Sequence, residues 1–172
     1  HVFESRGDTA GGTANAQAAL IFDYESAWAW DAQPQGADFE MFRLAFAAYR
    51  GLRRAGLNID ILPPDTADLS DYKLVLAPGI MSLSDPFRKA LTTFKGIALI
   101  GPRTDTKTPE LVIPNIMGPN LPNVDVTAIL TESIPPNDKI KLQGGGRFRH
   151  WFEHLDGTAP VHLSTKDGLP AI

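Results

Sequence analysis

Asp23-Tyr24-Glu25-Ser26-Ala27-Trp28-Ala29-Trp30 is the densest group of chemistry-capable side chains in this 172-residue chain, and it follows directly on an apolar run. Two carboxylates could act as general acid and base, and a tyrosine and two tryptophans beside them are costly to place in a loop unless something docks there. On an extended segment Asp23 and Glu25, two apart, point to opposite faces, so only a turn would reunite them. Aromatic and acidic residues crowded into a loop read as a contact surface. Its members are Asp23, Tyr24, Glu25, Trp28 and Trp30. The plainer reading packs both indoles within the domain.

A second candidate lies near the end. His150-Trp151-Phe152-Glu153-His154 has the spacing at which two histidines on one helical face hold zinc while a glutamate acts as base. A third, acidic ligand would be wanted well downstream, and only Asp156 and Asp167 follow. The competing reading is a short amphipathic helix, with Trp151 and Leu155 inward and Arg147, Arg149 and the histidines toward water. No metal is expected. Gly144-Gly145-Gly146 hints at a phosphate cradle but lacks a following Lys-Ser/Thr, so a flexible loop is expected. Arg6-Gly7-Asp8, a tripeptide read by adhesion receptors, is short enough to arise by chance.

Composition narrows the classes further. The absence of cysteine excludes a disulfide framework and any thiol nucleophile, including that of an amidotransferase. A formal net charge of -4, spread over alternating signs, gives no footprint for nucleic acid or an anionic membrane. No apolar run approaches the roughly 20 residues of a membrane span, and no signal pattern opens the chain. A cytoplasmic setting is expected. Residues 1–17, polar and rich in glycine, read as a linker remnant, and residues 18–172 as one domain.

The elements that must position these residues follow from hydrophobic patterning. Ala18 to Phe22, Ile59 to Leu62, Leu74 to Ala77 and Ile97 to Ile100 are short, continuous apolar runs, as expected of parallel strands covered on both faces. Asp38 to Ala55 reads as a helix with a core stripe at Met41, Leu44, Ala45, Ala48, Leu52 and Ala55, closed by Gly56. It carries a second stripe, Phe42, Phe46 and Tyr49, displaced by about 100°. Ser84-Asp85-Pro86 opens another helix with Phe87, Ala90, Leu91 and Phe94 on one face. Pro63 to Lys73 is too rich in proline and aspartate for a long helix, and Thr104 to Asn123 is a proline-punctuated irregular excursion.

The order predicts an open, mainly parallel, flavodoxin-like α/β sheet with helices on both faces. Ligands in such sheets bind beyond the carboxyl ends of the strands, a rim that holds Asp23, Glu25 and Arg103. The acidic first turn would repel a flavin or nucleotide phosphate. A phosphorelay receiver would need an acceptor aspartate where Ala77-Pro78-Gly79 stands. No cofactor is expected. A small-molecule binder or self-sufficient enzyme using Asp23, Glu25 and Arg103 stays as the rival reading.

Ordered blocks resemble a known family: Phe22-Asp23-Tyr24-Glu25-Ser26 with Trp28-Ala29 and Gln33-Pro34, then Tyr49-Arg50, Ala55-Gly56 and Asp60-Ile61-Leu62-Pro63-Pro64. Asp68-Leu69-Ser70, Tyr72-Lys73-Leu74-Val75, Ala77-Pro78, Gly101-Pro102-Arg103-Thr104, Trp151-x-Glu153 and Gly168-Leu169-Pro170-Ala171 continue it. Together they resemble the middle domain of family 42 β-galactosidases over about residues 18 to 171. The resemblance implies a trimerisation domain related in fold to class I glutamine amidotransferases but without their activity. It further implies a parent with a (β/α)8 barrel that hydrolyses terminal β-D-galactosides with retention, three subunits forming a ring, and a bacterial source. The family's catalytic glutamates lie in the barrel, the first preceded by asparagine, and this sequence has no Asn-Glu pair. Ala171-Ile172 would then stop at the approach to a further strand. The fragment itself is expected to be catalytically silent, with Trp28 and Trp30 near a neighbouring barrel and Tyr24 and Glu25 fixing their loop.

Overall fold

The computed structural model describes residues 15–34, 38–116 and 118–172. The reading at Arg6-Gly7-Asp8 and the linker reading over residues 1–14 lie outside the described residues. Four parallel strands, β1 (Ala18–Ile21), β2 (Ile59–Leu62), β3 (Leu74–Ala77) and β4 (Ile97–Ile100), form one sheet in the order β2-β1-β3-β4. Their bounds are those of the apolar runs, except that Phe22 falls just beyond β1. Gln17 already belongs to the fold, because its carbonyl accepts from Lys73 N at 2.9 Å.

The pleat assigns the faces. Ala19 and Ile21 of β1 and Val75 and Ala77 of β3 point to one side, where they join Phe87 and Ala90 of α3 (Asp85–Thr93) in a buried core. Ser84 starts that helix as expected: its Oγ accepts from Phe87 N at 3.2 Å, and Pro86 fills the first turn. Such a cap contributes about 1 kcal/mol. On the opposite side lies α2 (Met41–Arg54), which buries Met41, Ala45 and Leu52 of the expected core stripe and leaves Ala55 exposed. The helix starts three residues later than the pattern implied, because Glu40 is still extended at φ -138°. It closes where expected. Gly56 adopts φ 82°, a left-handed conformation that favours glycine, while Gly56 N donates to Arg53 O and Leu57 N to Leu52 O.

Coverage on both faces holds for β1 but not for the outer strands. Register places Ile61 beside Leu20 and Leu99 beside Leu76 on the α2 side. Because α2 packs mainly on β1 and β2, Ile97 and Leu99 are exposed there. Between β2 and β3 the chain is short and irregular, as its prolines require. Leu69 anchors it in the core, and the Tyr72 hydroxyl donates to Asp60 Oδ2 at 2.9 Å.

That bond makes a pH prediction. Burial first, and the Asp60 carboxylate second, push the Tyr72 hydroxyl up to about 12. An unfolded chain releases the same proton near pH 10, so the stabilisation is complete below about pH 10 and lost as pH rises toward 12. Denaturant titrations of wild type and Tyr72→Phe across that window are expected to converge at its alkaline end. Parallel curves would show that Tyr72 does not hold its proton in the fold.

The segment after β4 is the irregular excursion expected. Residues 104–116 and 118–123 are irregular, pinned by Asp105 N to Ile80 O, Lys107 N to Met81 O and an Arg88–Asp105 ion pair at 2.8 Å. Beyond them β5 (Thr127–Ser133) pairs antiparallel with β8 (Trp151–Asp156), and β6 (Ile140–Lys141) with β7 (Arg147–Phe148).

Candidate functional site

Tyr24 to Ala32, capped by Asp23, is a helix rather than a loop, contrary to the sequence reading. Asp23 is extended, at φ -128° and ψ 119°, and its carboxylate accepts from Glu25 N at 3.1 Å and Ser26 N at 3.0 Å. This is an N-cap, and Glu25 adds favourable negative charge to the first turn of α1 (Tyr24–Ala32). Ser26 Oγ also donates to Asp23 and accepts from Met81 N at 2.8 Å, tying the helix start to the turn after β3. Asp23 is therefore a buried structural acceptor, not a free acid or base.

Helical geometry separates the two tryptophans. Two residues along an α-helix turn through about 200°, so Trp28 and Trp30 occupy opposite faces. Trp30 is 1% exposed and donates from Nε1 to Gly79 O at 3.0 Å. It packs within the domain, which removes it from the proposed contact surface. Trp28 is 65% exposed and Tyr24 60%, while Glu25 is also exposed.

The exposed side of α1 continues onto the second stripe of α2. Phe42 and Phe46 are open to solvent and Tyr49 is half-buried. With Leu20, Phe22, Tyr24 and Ile61 they line a shallow apolar groove of about 340 Å³. The rings are ordered against one another: Phe22 stands edge-on to Tyr24 at 5.1 Å, Phe42 lies 6.2 Å from Tyr24, and Trp28 6.5 Å from Tyr24. Arg50 lies 5.7 Å over Phe46. Exposed aromatic rings packed against one another suit a protein contact, because each already has neighbours that restrict its rotamers before docking.

The rival rim does not assemble. Among the described residues no hydrogen bond or ion pair joins Asp23, Glu25 and Arg103. Arg103 instead lies 4.8 Å over Trp30 and 5.4 Å over Trp151, held at φ 58°. Glu153 Oε1 accepts from Arg103 N at 2.6 Å and from Trp151 Nε1 at 3.1 Å. Burial pushes the guanidinium pKa down, partly opposed by the Glu153 charge, and the group stays charged because its ordinary value is so high. The Trp30–Arg103–Trp151 stack joins α1, the turn after β4 and β8.

In place of the helix expected around His150 to His154, the chain has a bend at His150, φ 71°, followed by β8. The one-face helical spacing that the zinc pattern needs is therefore absent, and the two histidines turn to different carboxylates. His150 Nδ1 meets Asp38 Oδ1 at 3.2 Å, and His154 Nε2 meets Glu132 Oε2 at 3.1 Å. No three metal-ligating side chains cluster among the described residues. Phe152 rather than Trp151 is the fully buried ring. Sequence reasoning missed Glu153 as the partner of Arg103. The available signal was the spacing of two, which on a strand puts Trp151 and Glu153 on one face.

Residues 16–170 match the family described as the β-galactosidase trimerisation domain. The β-galactosidase BgaA of a Thermus species is 37% identical over 164 residues, covering 92% of this chain and 25% of that protein. The crystal structure of β-galactosidase from the psychrophilic Marinomonas ef1 superposes with a TM-score of 0.86 at 28% identity, covering 98% of this chain and 27% of that one. For the β-galactosidase of the Antarctic haloarchaeon Halorubrum lacusprofundi the TM-score is 0.83 at 32% identity, covering 92% of this chain and 26% of that one. The chain thus spans about a quarter of the length of the curated relatives it matches. The ordered sequence blocks, the four-stranded parallel sheet and the match over residues 16–170 together establish that this chain belongs to the β-galactosidase trimerisation-domain family.

Proposed function

We propose that the chain is the assembly module of a longer cytoplasmic β-galactosidase, in which three copies close a ring and a (β/α)8 barrel hydrolyses terminal β-D-galactosides with retention. The observation that carries this reading is the uncovered aromatic face of α1 and α2. A cyclic trimer needs a head-to-tail interface, in which one surface of each subunit meets a different surface of the next. Tyr24, Trp28, Phe42 and Phe46 supply one such surface, directed at the neighbouring subunit or its barrel. Glu25, at the start of α1, borders it.

This module does no chemistry of its own. Retaining glycosidases need two carboxyl groups roughly 5 to 5.5 Å apart, and Asp23, the first candidate, is spent on capping α1. Sedimentation of the 172-residue chain at micromolar concentration, alone and with a family barrel, tests the proposal. Self-association or joining of the barrel is expected, with no hydrolysis of a chromogenic β-galactoside by the chain alone. A strictly monomeric chain that never joins a barrel, or one that hydrolyses the substrate unaided, would refute it.

A further inference from the structure

Four cations converge on the triple-glycine turn between β6 and β7. Lys139, Lys141, Arg147 and Lys166 line a polar hollow of about 450 Å³ around Gly144, Gly145 and Gly146. No carboxylate lines it, although Asp138 and Asp167 adjoin two of the lysines in sequence. This local charge opposes the formal net charge of -4 on the whole chain.

Register makes the arrangement costly for the empty protein. Lys141 stands directly opposite Arg147 across the β6–β7 ladder, where like charges repel. Lys166 N donates to Lys141 O at 2.9 Å, and Leu142 bridges to Thr165, so a third cation is fixed beside that pair. Among the described residues, none of the four enters an ion pair. A surface with no use for this concentration would be more stable with one of the four replaced by a neutral or acidic residue.

The turn is shaped for close approach. Gly144, Gly145 and Gly146 have φ of 77°, 105° and 88°, which residues with a Cβ adopt only under strain. A Cβ built at Gly144 or Gly145 would meet nothing within 4 Å, so these glycines leave the backbone open from outside.

A compact anion with several oxygens relieves four convergent cations best. No aromatic ring lines the hollow, which removes the stacking platform that a sugar would use. A long polyanion would run onto a surface with an excess of acidic residues. We propose that the hollow binds a compact multivalent oxyanion of the phosphate class, two or three linked phosphoryl groups, free or carried on a small molecule.

Isothermal titration of the 172-residue chain with inorganic tripolyphosphate, and separately with ATP, tests this at controlled ionic strength. One saturable site that weakens with added salt is expected. Lys141→Gln and Lys166→Gln should each weaken binding roughly fivefold, with thermal midpoints that hold or rise slightly, because both side chains are exposed and the repulsion among the cations is relieved. The two arms separate free phosphate from a phosphorylated carrier, and loss of either in the variants upholds the site. Absence of saturable binding to both, or undiminished binding by the double variant, would overturn it. So would a polyglutamate peptide that displaces tripolyphosphate at lower concentration, which would assign the patch to an acidic protein surface.

Discussion

Replacing Arg103 with alanine is expected to destabilise the domain by about 3 kcal/mol, read as a lower denaturation midpoint with changed tryptophan fluorescence. The guanidinium stacks on Trp30 and Trp151 at 4.8 and 5.4 Å, and a desolvated cation–π contact contributes up to about 2 kcal/mol. Arg103 is 7% exposed, so its removal also leaves a void between two indoles. At roughly 2 to 4 °C per kcal/mol for a domain of this size, the thermal midpoint should fall by about 10 °C.

Arg103→Lys distinguishes the stack from a simple charge. Lysine keeps the charge beside Glu153 but lacks the planar guanidinium that covers an indole face. An intermediate loss is therefore expected. Glu153→Gln should cost less than Arg103→Ala, because an amide oxygen can still accept from Arg103 N and Trp151 Nε1. If Arg103→Ala changed stability by less than about 1 kcal/mol, the stack would be a bystander to the joint between the sheet and β8.

Much of the sheet was legible because its strands are short apolar runs bounded by turn-forming residues, a local signal. The start of α3 was legible for a similar reason, since Ser84-Asp85-Pro86 states its cap in sequence. Failure came where the deciding partner was distant. Trp151 to Asp156 satisfies a helical spacing on its own, and only the Thr127 to Ser133 strand, with its own β-branched residues, makes it an edge to be paired. Helix α1 was hidden for another reason. It carries an indole on each of two opposite faces, so it has no single apolar stripe, and its surest sign was the cap Asp23 with Glu25 behind it. At the outer strands, apolar composition was legible but coverage was not. Ile97 and Leu99 have the composition of buried residues, yet the placement of α2 leaves them exposed.

Trp28→Ala and Trp30→Ala are expected to give opposite phenotypes although the residues are two apart. Trp30 is buried against Phe39 at 4.6 Å, bonded to Gly79 and covered by Arg103. Removing such a ring costs about 3 to 5 kcal/mol, and loss of assembly would follow from unfolding. Trp28 stands 65% exposed beside Tyr24. Its removal should change folding stability by less than about 1 kcal/mol. If it anchors the subunit contact, the same change weakens association by about 2 kcal/mol or more, roughly 30-fold. Phe46→Ala, on the neighbouring helix of the same groove, should behave as Trp28→Ala does, and the pair should lose less than the sum of their single effects because they share one docking surface. Sedimentation and thermal melting on the same samples separate these outcomes. A Trp28→Ala chain that melts normally and assembles as tightly as wild type would remove the aromatic face from the interface, whereas normal melting with lost assembly would place it there.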